Sequence, residues 1–237
     1  MALLDSVRVL GAMVRVTVPT VTEALRGTLQ RDTVDERTRW FGHRVVELLD
    51  IELTSTGAGR IDPDRAYVYL SNHQSHLDIP ILYATLPSPT IRMLAKSELF
   101  RIPIWGQGLR AAEFVAVDRG NPERARASIE VAARLLRTGV SIYLAPEGTR
   151  SRDGTIGHLK KGGFHLALDT HTPIVPVAIR GTLAILPRGG RVMRTGRAVD
   201  VTIGAPIEVE GRTVADLSAE VREFLVEHAS GKMSDPG

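Results

Sequence analysis

An α/β fold, with a mixed sheet flanked by helices and preceded by an N-terminal two-helix element, is predicted by three features of the sequence. From residue 66 onward, short β-rich runs alternate with helical ones. Before that point the apolar residues recur at helical spacing. The 237 residues, 43% hydrophobic and 24% charged, have globular composition and enough length to bury a full core.

Over residues 3 to 30, Leu3, Val7, Leu10, Val14, Val18 and Val21 fall three or four apart while Asp5, Arg8 and Arg15 gather on another side. Pro19 is expected to break or kink this helix. A second helix is expected over about 33 to 49, and the turn-rich stretch from Gly57 to Asp64 leads into the main body. The apolar faces of these helices either pack on the domain or lie in a membrane interface, and the spacing suits both. Strands are expected at Ala66 to Leu70, Ile91 to Ala95, Phe114 to Val117, Val140 to Leu144, Ile174 to Ile179 and Val199 to Ile203. Helices are expected near 76 to 86, 122 to 137, 161 to 170 and 213 to 229; Asn121-Pro122 supplies a cap and first turn, and Gly139 a stop. The chain thus divides into a helical membrane-surface element (1–57), an α/β domain (58–230) and a disordered tail (231–237).

Composition narrows the chemistry. With no cysteine, disulfides, a thiolate nucleophile and sulfur-ligated zinc are excluded. A net charge of +3 with a pI near 9.5 makes basic groups matter locally. Aromatic residues are only 5%, and none interleave Arg188, Arg191, Arg194 and Arg197, so a nucleic-acid partner is not expected. An anionic lipid surface or a phosphorylated small substrate fits better. No apolar run approaches the roughly 20 residues of a spanning helix, and no secretory signal is apparent. Attachment to the cytoplasmic face of a membrane, peripheral or monotopic, is the expectation.

The chemically richest stretch runs from Ser71 to Asp78, where a strand gives way to a helix and polar groups emerge at a strand end. His73 can take a proton from a hydroxyl, and Asp78, five residues on, can fold back to fix the tautomer and stabilise the imidazolium. His73, His76 and Asp78 are also metal-binding types, but their spacing lacks the i, i+4 pair of a helical site, and no metal is expected. The second stretch, Pro146 to Ser151, presents Glu147, Gly148, Thr149 and Arg150 on one turn. Arg150 offers a planar fork for phosphate, and Glu147 could accept from a substrate hydroxyl. Phe114 to Arg119 is a strand ending in an acid-base pair. Lys160-Lys161-Gly162-Gly163 sets cations and glycine amides before a helix, a potential anion site involving Lys161, but it is not a Walker loop. No G-x-S-x-G elbow occurs, which disfavours a serine acyl-enzyme.

In this order the segments resemble the glycerolphosphate acyltransferase superfamily, most closely the 1-acyl-sn-glycerol-3-phosphate (lysophosphatidate) acyltransferases. His73 to Asp78 is similar to the first block, H-x-x-x-x-D; Phe114 to Arg119 to the second; Pro146 to Ser151 to the third, P-E-G-T-R-S; and Ile174 to Ile179 to the fourth. The second block departs slightly at Ala116 and Val117. The resemblance implies His73 as general base, Asp78 as its orienter, and Glu147, Gly148, Thr149, Arg150, Arg119 and Lys161 as substrate-binding residues. It implies an acyl-CoA or acyl-carrier-protein donor, a lysophospholipid acceptor and no further cofactor, with phosphatidate as product. A related acceptor, a lyso-ornithine lipid, another lysophospholipid or a glycolipid, fits the same blocks. The N-terminal helices resemble the two-helix element on which such enzymes rest at a bilayer.

Overall fold

The computed structural model describes residues 2–118, 120–190 and 192–229. Arg119 and the tail expected at 231–237 lie outside them. The helices are α1 (Ala2–Arg26), α2 (Arg31–Leu48), α3 (Asp78–Thr85), α4 (Trp105–Ala111), α5 (Pro122–Leu136), α6 (Gly162–Thr170), α7 (Thr182–Ile185) and α8 (Val214–Ala229). The strands are β1 (Ile51–Thr56), β2 (Val68–Ser71), β3 (Ile91–Lys96), β4 (Val115–Val117), β5 (Ser141–Leu144), β6 (Ile174–Arg180) and β7 (Arg197–Ile203). They form one mixed α/β sheet in the order β1-β7-β6-β2-β5-β3-β4, parallel throughout except where β6 meets β7.

Every residue of β2 and β5 is buried, as strands covered on both faces require. On one face Val45 and Leu49 pack with Leu77, Ile81 and Leu82 of the α3 region; on the other, Ala132, Phe164, Leu217, Val221 and Leu225 bring in α5, α6 and α8. Gly42 lets α2 lie against α3, since a Cβ there would sit 2.5 Å from the Pro80 carbonyl oxygen. Because β2, β5 and β6 are parallel neighbours, their carboxyl ends emerge together and gather the loops that follow them.

Three expectations need correction. Pro19 does not break α1, which continues to Arg26. The turns on either side are held from outside: Thr17 lies against Gly108 of α4, and Glu23 is paired with Arg37 of α2. Residues 51–56, placed with the N-terminal helical element, form edge strand β1, paired in parallel with β7 over six residues. The alternation of Ile51 and Leu53 with polar residues suits a strand, but its partner is far along the chain. Helices α4 and α7, of seven and four residues, were not anticipated, being too short for a periodic signal.

The apolar stripe of α1 faces away from the body. Leu3, Val7, Leu10, Val14 and Val18 keep 45% to 69% of their surface exposed, whereas Asp5, Val9, Ala12, Thr17 and Thr20 are buried. No helix of the described residues is long and apolar enough to cross a membrane.

One strand in from its β4 edge, the sheet also holds a charge that cannot reach water. Arg92 of β3 has no exposure, and its guanidinium donates to Asp35 of α2, which also accepts from the Thr90 hydroxyl at 2.6 Å. Glu113 lies 3.6 Å from the other Arg92 terminal nitrogen but is more exposed, so removing Asp35 leaves a buried charge poorly matched, at a cost of up to ~3–5 kcal/mol. Asp35→Ala is therefore expected to lower unfolding stability by that amount in urea titration; a loss under ~1 kcal/mol would show that Arg92 finds water or another carboxylate.

Candidate active site

The site begins where β2 ends. The Asn72 amide donates to the Ile179 carbonyl and accepts from the Ile179 N–H, both at 2.8 Å, tying the ends of β2 and β6 together. The chain then turns through residues 73 to 77 into α3, whose first residue is Asp78. That turn is shaped by the Asp78 carboxylate, which is fully buried. Oδ2 accepts from the Gln74 and Ser75 N–H groups at 2.8 and 3.0 Å and lies 2.7 Å from His73 Nδ1; Oδ1 accepts from the Thr182 hydroxyl at 2.6 Å. A carboxylate only accepts, so Nδ1 carries the imidazole proton and Nε2 is left as the basic nitrogen. The His73 side chain retains 15% exposure, enough for a reactant to approach.

The Pro146–Ser151 turn is bonded directly to this one. Glu147 Oε1 accepts from the His73 N–H at 2.8 Å, its Oε2 from the Gly157 N–H at 3.0 Å, and the Ser151 N–H donates to the His73 carbonyl at 2.7 Å. Gly148 adopts φ +71°, the left-handed conformation a side chain would resist, and the Lys160 ammonium lies across it, 2.9 Å from where a Cβ would stand.

Arg150 is half-buried, and among the described residues it has no carboxylate within ion-pairing distance. Burial, and then the neighbouring Arg188, hold its pKa below the usual guanidinium value. The Arg188 guanidinium donates to the Arg150 carbonyl at 3.4 Å. His76 is likewise held below the usual histidine value, by desolvation first and then by the Arg150 charge. An under-compensated positive patch therefore lies beside the His73–Asp78 pair, which is the arrangement an anionic group completes.

On the other side of the turn a cavity of about 370 Å³ runs under α1 and α2. Val9 and Val16 of α1, Phe41 of α2, Trp105 of α4 and Phe114 line it, His76 and Leu77 bring it to the catalytic turn, and Thr20 and Arg37 also border it. Its walls suit an alkyl chain.

The structure brings His73, Asp78, Glu147, Gly148 and Arg150 together. Thr149 is exposed on the same turn. Lys161 is exposed where α6 begins, and it is Lys160 whose side chain crosses Gly148. Glu147, expected to meet a substrate hydroxyl, accepts one backbone N–H on each oxygen and so braces the two turns against each other. Sequence reasoning named Lys160 only as part of the Lys160-Lys161-Gly162-Gly163 segment and missed the parts played by Thr182 and Gly157, whose contacts leave no local pattern. Glu147→Gln removes one of two acceptors and leaves a backbone N–H unmatched, which costs ~1–3 kcal/mol. Chemical denaturation is expected to show that loss, and an unchanged midpoint would mean that the brace is dispensable.

The family model described as Acyltransferase matches residues 52–180, more than half of the chain. The chloroplastic 1-acyl-sn-glycerol-3-phosphate acyltransferase LPAT1 of Arabidopsis thaliana is 35% identical over 164 residues, 69% of this chain and 45% of that protein. The human 1-acyl-sn-glycerol-3-phosphate acyltransferase alpha is 32% identical over 173 residues, 73% of this chain and 60% of that protein. The chain spans less than half the length of the plant relatives from Brassica napus and Arabidopsis thaliana, 41% and 45%. The crystal structure of the 1-acyl-sn-glycerophosphate acyltransferase PlsC from Thermotoga maritima superposes with a TM-score of 0.83 at 28% identity, covering 99% of this chain and 98% of that one. With the first, third and fourth blocks bonded to one another around one histidine-aspartate pair and the family model spanning all four, the chain belongs to the acyltransferase family.

Proposed function

We propose that this protein transfers a fatty acyl group from acyl-CoA or acyl carrier protein to the sn-2 hydroxyl of 1-acyl-sn-glycerol-3-phosphate, forming phosphatidate. The observation that carries the reading is the placement of the His73–Asp78 pair between an apolar cavity and the Arg150 guanidinium, which has no carboxylate partner among the described residues. The relatives' names point to the same substrate. His73 Nε2 accepts the proton of the acceptor hydroxyl as its oxygen attacks the thioester carbonyl; the carbon–sulfur bond then breaks, and the departing thiolate takes up the proton. Asp78 stabilises the imidazolium formed in between. General-base assistance of this kind is worth ~10²- to 10⁴-fold, and positioning supplies more. Arg150 holds the acceptor phosphate, and the donor's thioester supplies all the activation the reaction needs, without a metal or further cofactor.

A lysolipid resides in a bilayer, so the catalytic turn has to work at a membrane surface. The outward stripe of α1, Leu3, Val7, Leu10, Val14 and Val18, supports peripheral or monotopic attachment through that helix; the cytoplasmic face is the side this reading assigns.

An acyl-transfer assay over a panel of lysolipids with both thioester donors tests the reaction. His73→Ala is expected to abolish transfer, and Arg150→Ala to raise the Michaelis constant for the phosphate-bearing acceptor far more than that for the donor. Near-normal turnover by purified His73→Ala, or preference for an acceptor without phosphate, would overturn the reading. Attachment is tested separately by flotation with anionic vesicles: Leu10→Glu is expected to reduce binding while leaving the melting temperature unchanged, because Leu10 is 54% exposed. A wild type that never floats at low salt would refute it.

A further inference from the structure

We propose that Arg222, on the C-terminal helix α8, is a positioning residue for His73, acting through one peptide plane and the Glu147 carboxylate. The inference rests on the reading of His73 as the general base given above.

Residues 145 to 161, between β5 and α6, contain turns and bends but no helix or strand, so side chains must set their course. Ile156 and Leu159 tuck into the same apolar cluster as Leu217, Val221 and Leu225 of α8, which brings the loop against that helix. There Arg222 makes a forked contact: Nη2 donates to the Ile156 carbonyl at 3.2 Å and Nη1 to the Gly157 carbonyl at 2.6 Å. The Ile156 carbonyl and the Gly157 N–H belong to the same peptide unit. That unit is therefore gripped at both ends, its oxygen by Arg222 and its N–H by Glu147 Oε2 at 3.0 Å. The other Glu147 oxygen receives the N–H of His73 at 2.8 Å. A cation on the carbonyl polarises the peptide and strengthens its N–H as a donor, so each contact in the series reinforces the next.

The fold has little need of Arg222 itself. The residue is exposed, and α8 is seated by Leu217, Val221 and Leu225, which have no exposure. What the arginine adds is the position of the peptide that holds Glu147, and through it the backbone of the residue whose ring abstracts the proton. Displacements near 1 Å at a reacting group cost ~10²-fold in rate, so loss of this grip reads out in turnover before it reads out in folding.

The test uses the full chain with acyl-CoA and lysophosphatidate, together with amide hydrogen exchange on the same samples. Arg222→Gln is expected to lower kcat by ~10- to 100-fold with both Michaelis constants within ~2-fold of wild type. The melting temperature should hold, the His73 and Gly157 amides should exchange faster, and Arg222→Lys, which can still reach one carbonyl, should restore part of kcat. Wild-type kcat and unchanged exchange at His73 in Arg222→Gln would overturn the proposal. So would a loss of activity that follows a fall in melting temperature, which would make the residue structural. Should the wild type transfer no acyl group to any lysolipid, the function proposed above fails, and exchange at His73 still decides whether Arg222 reaches it.

Discussion

A carboxylate removed from water has to be met by donors, and the donors that meet Asp78 organise the centre of this molecule. Two are the N–H groups of Gln74 and Ser75, so the carboxylate pulls the chain back over itself just before α3 begins. The third is His73 Nδ1, which fixes the ring's tautomer, and the fourth is the Thr182 hydroxyl, which brings in the segment after β6. The same segment is held again where the Ser75 hydroxyl donates to the Leu186 carbonyl at 2.8 Å. A single buried charge thus sets the turn, the imidazole and the loop that carries Arg188.

Glu147 repeats the device one strand over. Its two oxygens join the His73 and Gly157 N–H groups, and the Ser151 N–H returns a bond to the His73 carbonyl. Both acids are used to hold backbone, and the guanidinium of Arg150 stays without an acidic partner among the described residues. That difference separates the two kinds of group: buried carboxylates hydrogen-bonded to backbone N–H groups hold the framework, whereas an under-compensated cation attracts a ligand.

The two sides of the molecule divide the remaining work. Parallel strands buried on both faces supply a rigid platform whose carboxyl ends present the loops, and the helices α1 and α2 roof the apolar cavity that reaches His76 and Leu77. The roof is amphipathic in an unusual sense. Its inward face sets Asp5, Thr17 and Thr20 beside Val9 and Ala12, while Leu3, Val7, Leu10, Val14 and Val18 point outward, so α1 covers the cavity and also presents an apolar surface.

The sequence by itself determined which residue types stand at which spacing. The H-x-x-x-x-D turn, the Pro-Glu-Gly-Thr-Arg turn, six of the seven strands and the amphipathic pattern of α1 were all legible, because residue chemistry and hydrophobic period are properties of contiguous chain. Only the tertiary structure decided which face of α1 is covered, that Ile51 to Thr56 pair with β7, that Lys160 rather than Lys161 crosses Gly148, and that Glu147 accepts from the His73 and Gly157 N–H groups. Each of those outcomes depends on a partner remote in sequence, 74 residues away for Glu147 and His73 and 104 for Asp78 and Thr182. Burial and hydrogen-bond satisfaction belong to the pair, and the pair exists only once the sheet has brought its strand ends together.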